Sequence, residues 1–178
     1  MATCCFTGHR PDKLGGYDYN SEKNLLIKKY LKKECIDLIL TKNVDTFVFG
    51  GALGIDQMAF DVVYELKNTY TNLKLIIAVP FSSQDSNWPD KSSKYYRSQL
   101  RKANEIIYVD TLDSYKIKGY EEGKYYPAKM QKRNEYMVDI SDYIIAYYDG
   151  SSGGTGNCLK YWSKIKSNLP VNIYDLIN

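Results

Sequence analysis

The sequence predicts an α/β fold, with a mostly parallel sheet of five or six strands and helices on both faces, in one domain spanning 1–178. Three observations predict it. Short β-branched or aromatic runs alternate with longer amphipathic segments along the whole chain. Two of the runs, LKLIIAVP and DYIIAYY, are almost continuously apolar, as strands covered on both faces must be. Two runs also end in glycine-rich turns that lead directly into helical patterns.

The strands are predicted at Thr3–Thr7, Thr46–Phe49, Leu73–Pro80, Glu105–Val109, Tyr143–Tyr148 and Val171–Tyr174, each bounded by Gly, Pro, Asp or Asn. Ile27, Leu31, Cys35 and Leu38 form one stripe of a helix over 21–41. Ile55, Met58, Ala59, Val62, Val63 and Leu66 fit the same period after the second strand. Further helices are predicted over 91–104, 126–140 and 156–167. The least regular stretch, DTLDSYKIKGYEEGKYY from Asp110 to Tyr126, reads as a disordered surface loop or as a lid over a ligand.

Composition narrows the function classes. The net charge of 24 − 21 = +3 is too small and too evenly spread to predict a nucleic-acid partner. No apolar stretch approaches the roughly 20 residues of a membrane span, and no signal peptide is visible, so a cytoplasmic location is expected. Cys4, Cys5, Cys35 and Cys158 lack metal-site spacing and are expected to be reduced and buried. No metal and no cofactor is expected. The 18 tyrosines against one histidine suit stacking surfaces, or else reflect the bias that also raises Lys, Asn and Ile.

Ligands of open α/β sheets sit beyond the carboxyl ends of the strands. Gly8-His9-Arg10-Pro11 follows the first strand, and Gly50, Gly51, Ala52, Leu53, Gly54, Ile55 and Asp56 follow the second. Pro80 and Phe81 follow the third, and DGSSGGTGN the fifth. Glycine there admits positive φ or the close approach of a ligand, and the helix start behind it offers unpaired N–H groups to an anion. Two such turns, expected side by side, favour binding over plain turn formation. Neither matches GxGxxG or GxxxxGK(S/T), so ordinary NAD or ATP modes are not supported.

TGHRP, GGALGID, VPF, KRNEYMVDISD and GGTGN, in this order from Thr7 to about Trp162, resemble the SLOG superfamily, and within it the YpsA-like branch of Gram-positive bacteria and their prophages. The resemblance implies a Rossmann-like fold and a nucleotide-derived ligand with phosphate on the glycine turns. It also implies kinship with LOG-type phosphoribohydrolases and DNA-processing protein A, and pairing into a homo-oligomer. LOG-type hydrolases join an arginine to a glutamate that closes PGGxGTxxE. Here Arg133 keeps the arginine, but Lys160 stands at the glutamate position. A cation-like ribosyl centre needs a carboxylate, so the resemblance argues against catalysis unless Asp56, Glu135 or Asp139 substitutes.

The candidate ligand-binding residues are therefore Gly8, His9, Arg10, Gly50, Gly51, Ala52, Gly54, Asp56, Pro80, Phe81, Trp88, Arg133, Asn134, Gly153, Gly154, Thr155 and Asn157, with no catalytic residue assigned. Arg10 offers a fork of donors to phosphate. Asp56 either caps its helix or meets ribose hydroxyls. Phe81 and Trp88 either stack on a base or pack locally. Thr155 and Asn157 either bind ligand or cap the last long helix. Tyr115, Tyr120, Tyr125 and Tyr126 belong to the candidate lid. The leading expectation is non-catalytic binding of a nucleotide-derived small molecule, possible ligands including a cyclic ADP-ribose-type signal held by a sensor or a phage-encoded sponge. The alternatives are cleavage of a nucleoside monophosphate and single-stranded DNA binding.

Overall fold

The computed structural model describes residues 1–178. In chain order the elements are β1 (Ala2–Gly8), α1 (Glu22–Lys42), β2 (Val44–Phe49), α2 (Ile55–Leu66), β3 (Lys74–Val79), α3 (Asp90–Lys102), β4 (Glu105–Tyr108), α4 (Pro127–Asp139), β5 (Tyr143–Tyr147), α5 (Gly154–Ile165), β6 (Val171–Asn172) and α6 (Ile173–Ile177). The strands form one six-stranded sheet in the order β4-β3-β2-β1-β5-β6. Every pairing is parallel. The chain steps outward from β1 to β4, then returns to lay β5 on the other side of β1. That reversal opens a crevice at the carboxyl ends of β1 and β5.

Alternation along the strands divides the core into two layers. Cys4, Phe6, Phe47, Phe49, Leu75, Ile77 and Ile145 face α1 and α2. Cys5, Val48, Ile76, Ala78 and Ile144 face α4 and α5, where Met137, Val138, Cys158 and Trp162 cover them. Register keeps this consistent across the sheet, since Cys5 lies opposite both Val48 and Ile144. All four cysteines are free and buried. The stripe Ile27, Leu31, Cys35 and Leu38 is buried as its spacing predicts, and α1 ends at Asn43 in the left-handed region, φ 54°.

Two segments differ from the sequence reading. Only Val171 and Asn172 of the predicted last strand pair with the sheet, and α6 begins at Ile173. Asn172 explains the change. Its side chain accepts the Tyr148 N–H and donates to the Tyr148 carbonyl, and its amide oxygen also caps α6 at Tyr174. The stretch between β4 and α4 is an ordered strap rather than a disordered loop. Lys129 and Asp110, both nearly inaccessible, form a 2.8 Å ion pair beneath it. The Lys129 ammonium also donates to the carbonyls of Glu121 and Lys124, and Asp110 accepts the Gly123 N–H. Phe81 and Tyr126 present ring faces to the same ammonium at 6.0 and 5.4 Å.

No helix is long and apolar enough to cross a membrane.

Replacing Lys129 by Met leaves Asp110 buried without its cation, and the expected loss is about 3–5 kcal/mol. Urea denaturation reads it directly, with faster proteolysis within 110–126 as a second sign. Unchanged midpoint and cleavage rate would mean that the pair does not hold the strap.

Candidate functional site

Backbone geometry assembles the site at the crevice. β1 ends at Gly8, where an added Cβ would lie 2.4 Å from the Ile55 side chain, so the end of β1 touches the start of α2. His9 follows, buried, and its Nε2 lies 2.6 Å from Asp149 Oδ1 after β5. Pro11 then starts a short 3-10 turn through Lys13, whose ammonium donates to Ser151 Oγ at 2.5 Å. The loops after β1 and β5 are thus joined across the switch point.

A cavity of about 450 Å³ occupies this crevice. Gly8, His9, Arg10, Ala52, Asp56, Arg133, Asn134, Gly153, Gly154 and Thr155 line it, all of them candidates from the sequence. The remaining candidates lie elsewhere. Gly50, Gly51 and Gly54 are behind the wall, and Asn157 is exposed on α5. Pro80 and Phe81 are buried outside the lining, the Phe81 ring meeting Tyr125 edge-on at 5.6 Å. Trp88 packs against Tyr96 at 5.3 Å, which is the local-packing alternative. Sequence reasoning missed Phe6, Thr7, Asp12, Lys13, Pro127, Met130 and Ser152 as lining residues, and placed Tyr125 only in the lid. A helical spacing signal was available for Met130, which shares the face of α4 that carries Pro127, Arg133 and Asn134.

The two glycine turns do not adjoin, because β1 runs between β2 and β5. They also differ in what occupies the glycines. At Gly50 a Cβ would lie 1.8 Å from Arg133 Nη1 and 2.6 Å from Asp56 Oδ2. At Gly51 (φ 66°) it would meet the Tyr96 ring at 2.8 Å, and at Gly54 (φ 99°) the His9 carbonyl at 2.4 Å. The protein's own groups fill this turn. At Gly153 and Gly154 nothing lies within 4 Å of the built Cβ. That turn opens onto the cavity, in front of a helix whose cap has no side-chain hydrogen bond. The first amides of α5 therefore keep the unpaired donors and partial positive charge of a helix start.

Three cations border the cavity. Arg10 is exposed and has no carboxylate partner within 4 Å. Lys13 is exposed beside Ser151. Arg133 is buried, donates from Nη1 to the Gly50 carbonyl at 2.5 Å and from Nε to Asn134 Oδ1 at 3.0 Å, and lies 3.8 Å from Asp56. Asp56 in turn accepts the Ala52 N–H at 3.2 Å. Burial pushes Asp56 above the ordinary carboxylate value, and the Arg133 guanidinium is the main influence opposing it. Both readings of Asp56 from the sequence meet here, since it caps the turn and also lines the cavity.

Lys160 is exposed on α5 and outside the lining. Of the possible replacement carboxylates, Glu135 pairs with Lys132 and Asp139 accepts the Tyr115 and Tyr161 hydroxyls, both away from the cavity. Asp56 alone of the three reaches it.

Gly50→Ala is expected to lose about 1–3 kcal/mol by forcing Arg133 to move. Gly154→Ala, with open space and no positive φ, is expected to change stability by at most about 1 kcal/mol. Thermal denaturation separates them, and equal losses would contradict the filled-versus-open distinction. Asp149 supplies a pH test. The Ser151 hydroxyl, the Ser151 N–H and His9 hold its carboxyl well below the usual range. A depressed native value means this contribution to stability is complete above pH about 4 and fades as pH falls through that lowered value. The stability gap between the protein and Asp149→Asn should therefore shrink on acidification; a gap that widens would invert the assignment.

A protein described as an uncharacterized SPbeta prophage-derived protein YoqJ, from Bacillus subtilis, is 47% identical over 140 residues, covering 79% of this chain and 82% of that protein. A UPF0398 protein of Halalkalibacterium halodurans is 32% identical over 155 residues, covering 87% and 76%. Among solved structures, DNA processing protein A of Helicobacter pylori, described for its single-stranded DNA binding mode, aligns with TM-score 0.56 and 18% identity over 99% of this chain and 71% of that one. The Streptococcus pneumoniae protein of the same name aligns with TM-score 0.58 and 15% identity over 92% and 47%. These two likenesses show a shared Rossmann-like fold. The family model described as the YspA SLOG family matches residues 4–175, and the chain belongs to that family.

Proposed function

We propose that the protein binds a phosphorylated, nucleotide-derived small molecule in the cavity over β1 and β5, without turning it over. One observation carries the reading. The open glycine turn at Gly153 and Gly154 starts α5 on the same cavity that Arg10 and Lys13 border, so amide donors and cations without a carboxylate partner converge where a phosphate would lie. A cavity of about 450 Å³ is of nucleotide size. Tyr125, exposed at the rim and supported edge-on by Phe81, is a surface on which a base can stack. Non-catalytic binding is favoured because Asp56 is already committed to Ala52 and Arg133, the other lining carboxylate, Asp12, is exposed to solvent, and no carboxylate occupies position 160. The prophage-derived relative fits a protein that captures or senses such a signal. Pairing of two copies is part of this reading, carried by the family resemblance alone.

A second reading is single-stranded DNA binding, favoured by the shared fold with the Helicobacter pylori protein. It weakens the expectation from net charge that nucleic acid is not a partner. The strand would then use the same cations, with affinity falling steeply as salt rises.

The test is incubation with adenine nucleotides, NAD, ADP-ribose, cyclic ADP-ribose isomers and a decathymidylate, followed by filtration, denaturation and mass spectrometry of both fractions. One compound retained and released intact, with affinity about tenfold lower in Arg10→Ala, is the expected result. Accumulation of free base and ribose phosphate would make the protein a hydrolase. Retention of the oligonucleotide alone would establish the second reading.

A further inference from the structure

A second cavity of about 370 Å³ lies under the loop between β1 and α1, against α2 and α3. Tyr17, Tyr19 and Tyr95 supply its rings, Lys28 and Lys91 its positive charge, and Gln57 a buried amide. Its walls are preformed. Tyr19 and Tyr95 meet edge to face at 5.7 Å. Asn24, fully buried in the first turn of α1, accepts the Gly15 N–H at 2.9 Å and donates to the carbonyls of Gly16 and Asp18 at 3.1 and 2.8 Å, fixing the loop that carries Tyr17 and Tyr19.

Two features of this cavity are left incomplete by the protein. Gln57 is 1% exposed, and its Oε1 accepts the Tyr19 hydroxyl at 2.8 Å, but its Nε2 has no hydrogen-bond partner. An unpaired buried donor is costly, so an acceptor supplied from outside is favoured there. Lys28 and Lys91 have no carboxylate within ion-pair distance, although their neighbours Lys32 and Lys94 do. The site therefore offers a buried amide at its floor, aromatic walls, and two cations against one carboxylate, Asp18, whose Oδ1 already accepts the Asn20 N–H.

We propose that this cavity is a second binding site, for a planar carbonyl-bearing heteroaromatic ring with an anionic tail, the chemistry of a pyrimidine mononucleotide. A ring carbonyl accepts from Gln57 Nε2, the ring lies against the tyrosines, and the phosphate meets Lys28 and Lys91. The inference uses none of the residues lining the first cavity and stands apart from the function proposed for it. The two sites do share one contact route. The Tyr19 hydroxyl that binds Gln57 also accepts the Gly54 N–H at 2.9 Å, on the turn that leads into Asp56.

The probe is uridine 5′-monophosphate, titrated into the full chain with the glutamine side-chain amides followed by nitrogen-15 NMR. The expected result is a saturable shift of the Gln57 amide, retained in Arg10→Ala and at least about tenfold weaker in the Lys28→Glu, Lys91→Glu double variant. Both lysines lie on helix surfaces, so that variant keeps its fold, which the remaining amide spectrum verifies. A Gln57 amide that does not respond would overturn the proposal. So would binding that disappears in Arg10→Ala and survives in the double variant, because the nucleotide would then occupy the first cavity.

Discussion

Arg133 reaches from α4 over the carboxyl edge of the sheet and seats its guanidinium in the space left by Gly50, on the Gly50 carbonyl and beside Asp56. α4 and α2 cover opposite faces of the sheet, so this contact joins the two layers at the edge where the cavity opens. A buried cation requires both a counter-charge and hydrogen-bond acceptors. Asp56, the Gly50 carbonyl and Asn134 meet that requirement together. Asp56 is then held in place to cap the turn at Ala52, and the floor of the cavity follows from the pairing.

That constraint separates the roles of the two glycine turns. Any side chain at Gly50 would displace Arg133, so the turn after β2 is a fixture of the protein's interior. The turn after β5 has nothing against it and leaves its helix start uncapped. The cations without a carboxylate partner, Arg10 and Lys13, stand at this open side. Charge already neutralised internally and charge left available are thus sorted onto different elements of one cavity.

The tyrosine-rich strap is fixed by the same kind of interaction on a second site. Lys129 is enclosed by Asp110, by two backbone carbonyls and by the faces of Phe81 and Tyr126. Phe81 is consumed in that packing, which removes it as an open stacking surface. Its edge supports Tyr125 instead, so the aromatic ring at the cavity rim comes from the strap rather than from the loop after β3.

The sequence by itself determined the alternation of strands and helices, the burial stripe of α1 and the two glycine-rich turns. Each of these is a local pattern of hydrophobic period or turn chemistry, readable over a dozen residues. It also placed Arg10, Asp56 and Arg133 at strand ends or on motifs, and all three line one cavity. Only the tertiary structure decided that β1 separates the two turns, that Gly50 makes room for an arginine 83 residues away, and that Lys129 closes a strap. Those outcomes depend on strand order and on pairs distant in the chain, and no local pattern encodes which buried charge will find which partner. The short last strand illustrates the boundary. Val171–Tyr174 has strand composition, yet the Asn172 side chain bonds the Tyr148 backbone and caps α6, and that tertiary contact ends the strand after two residues.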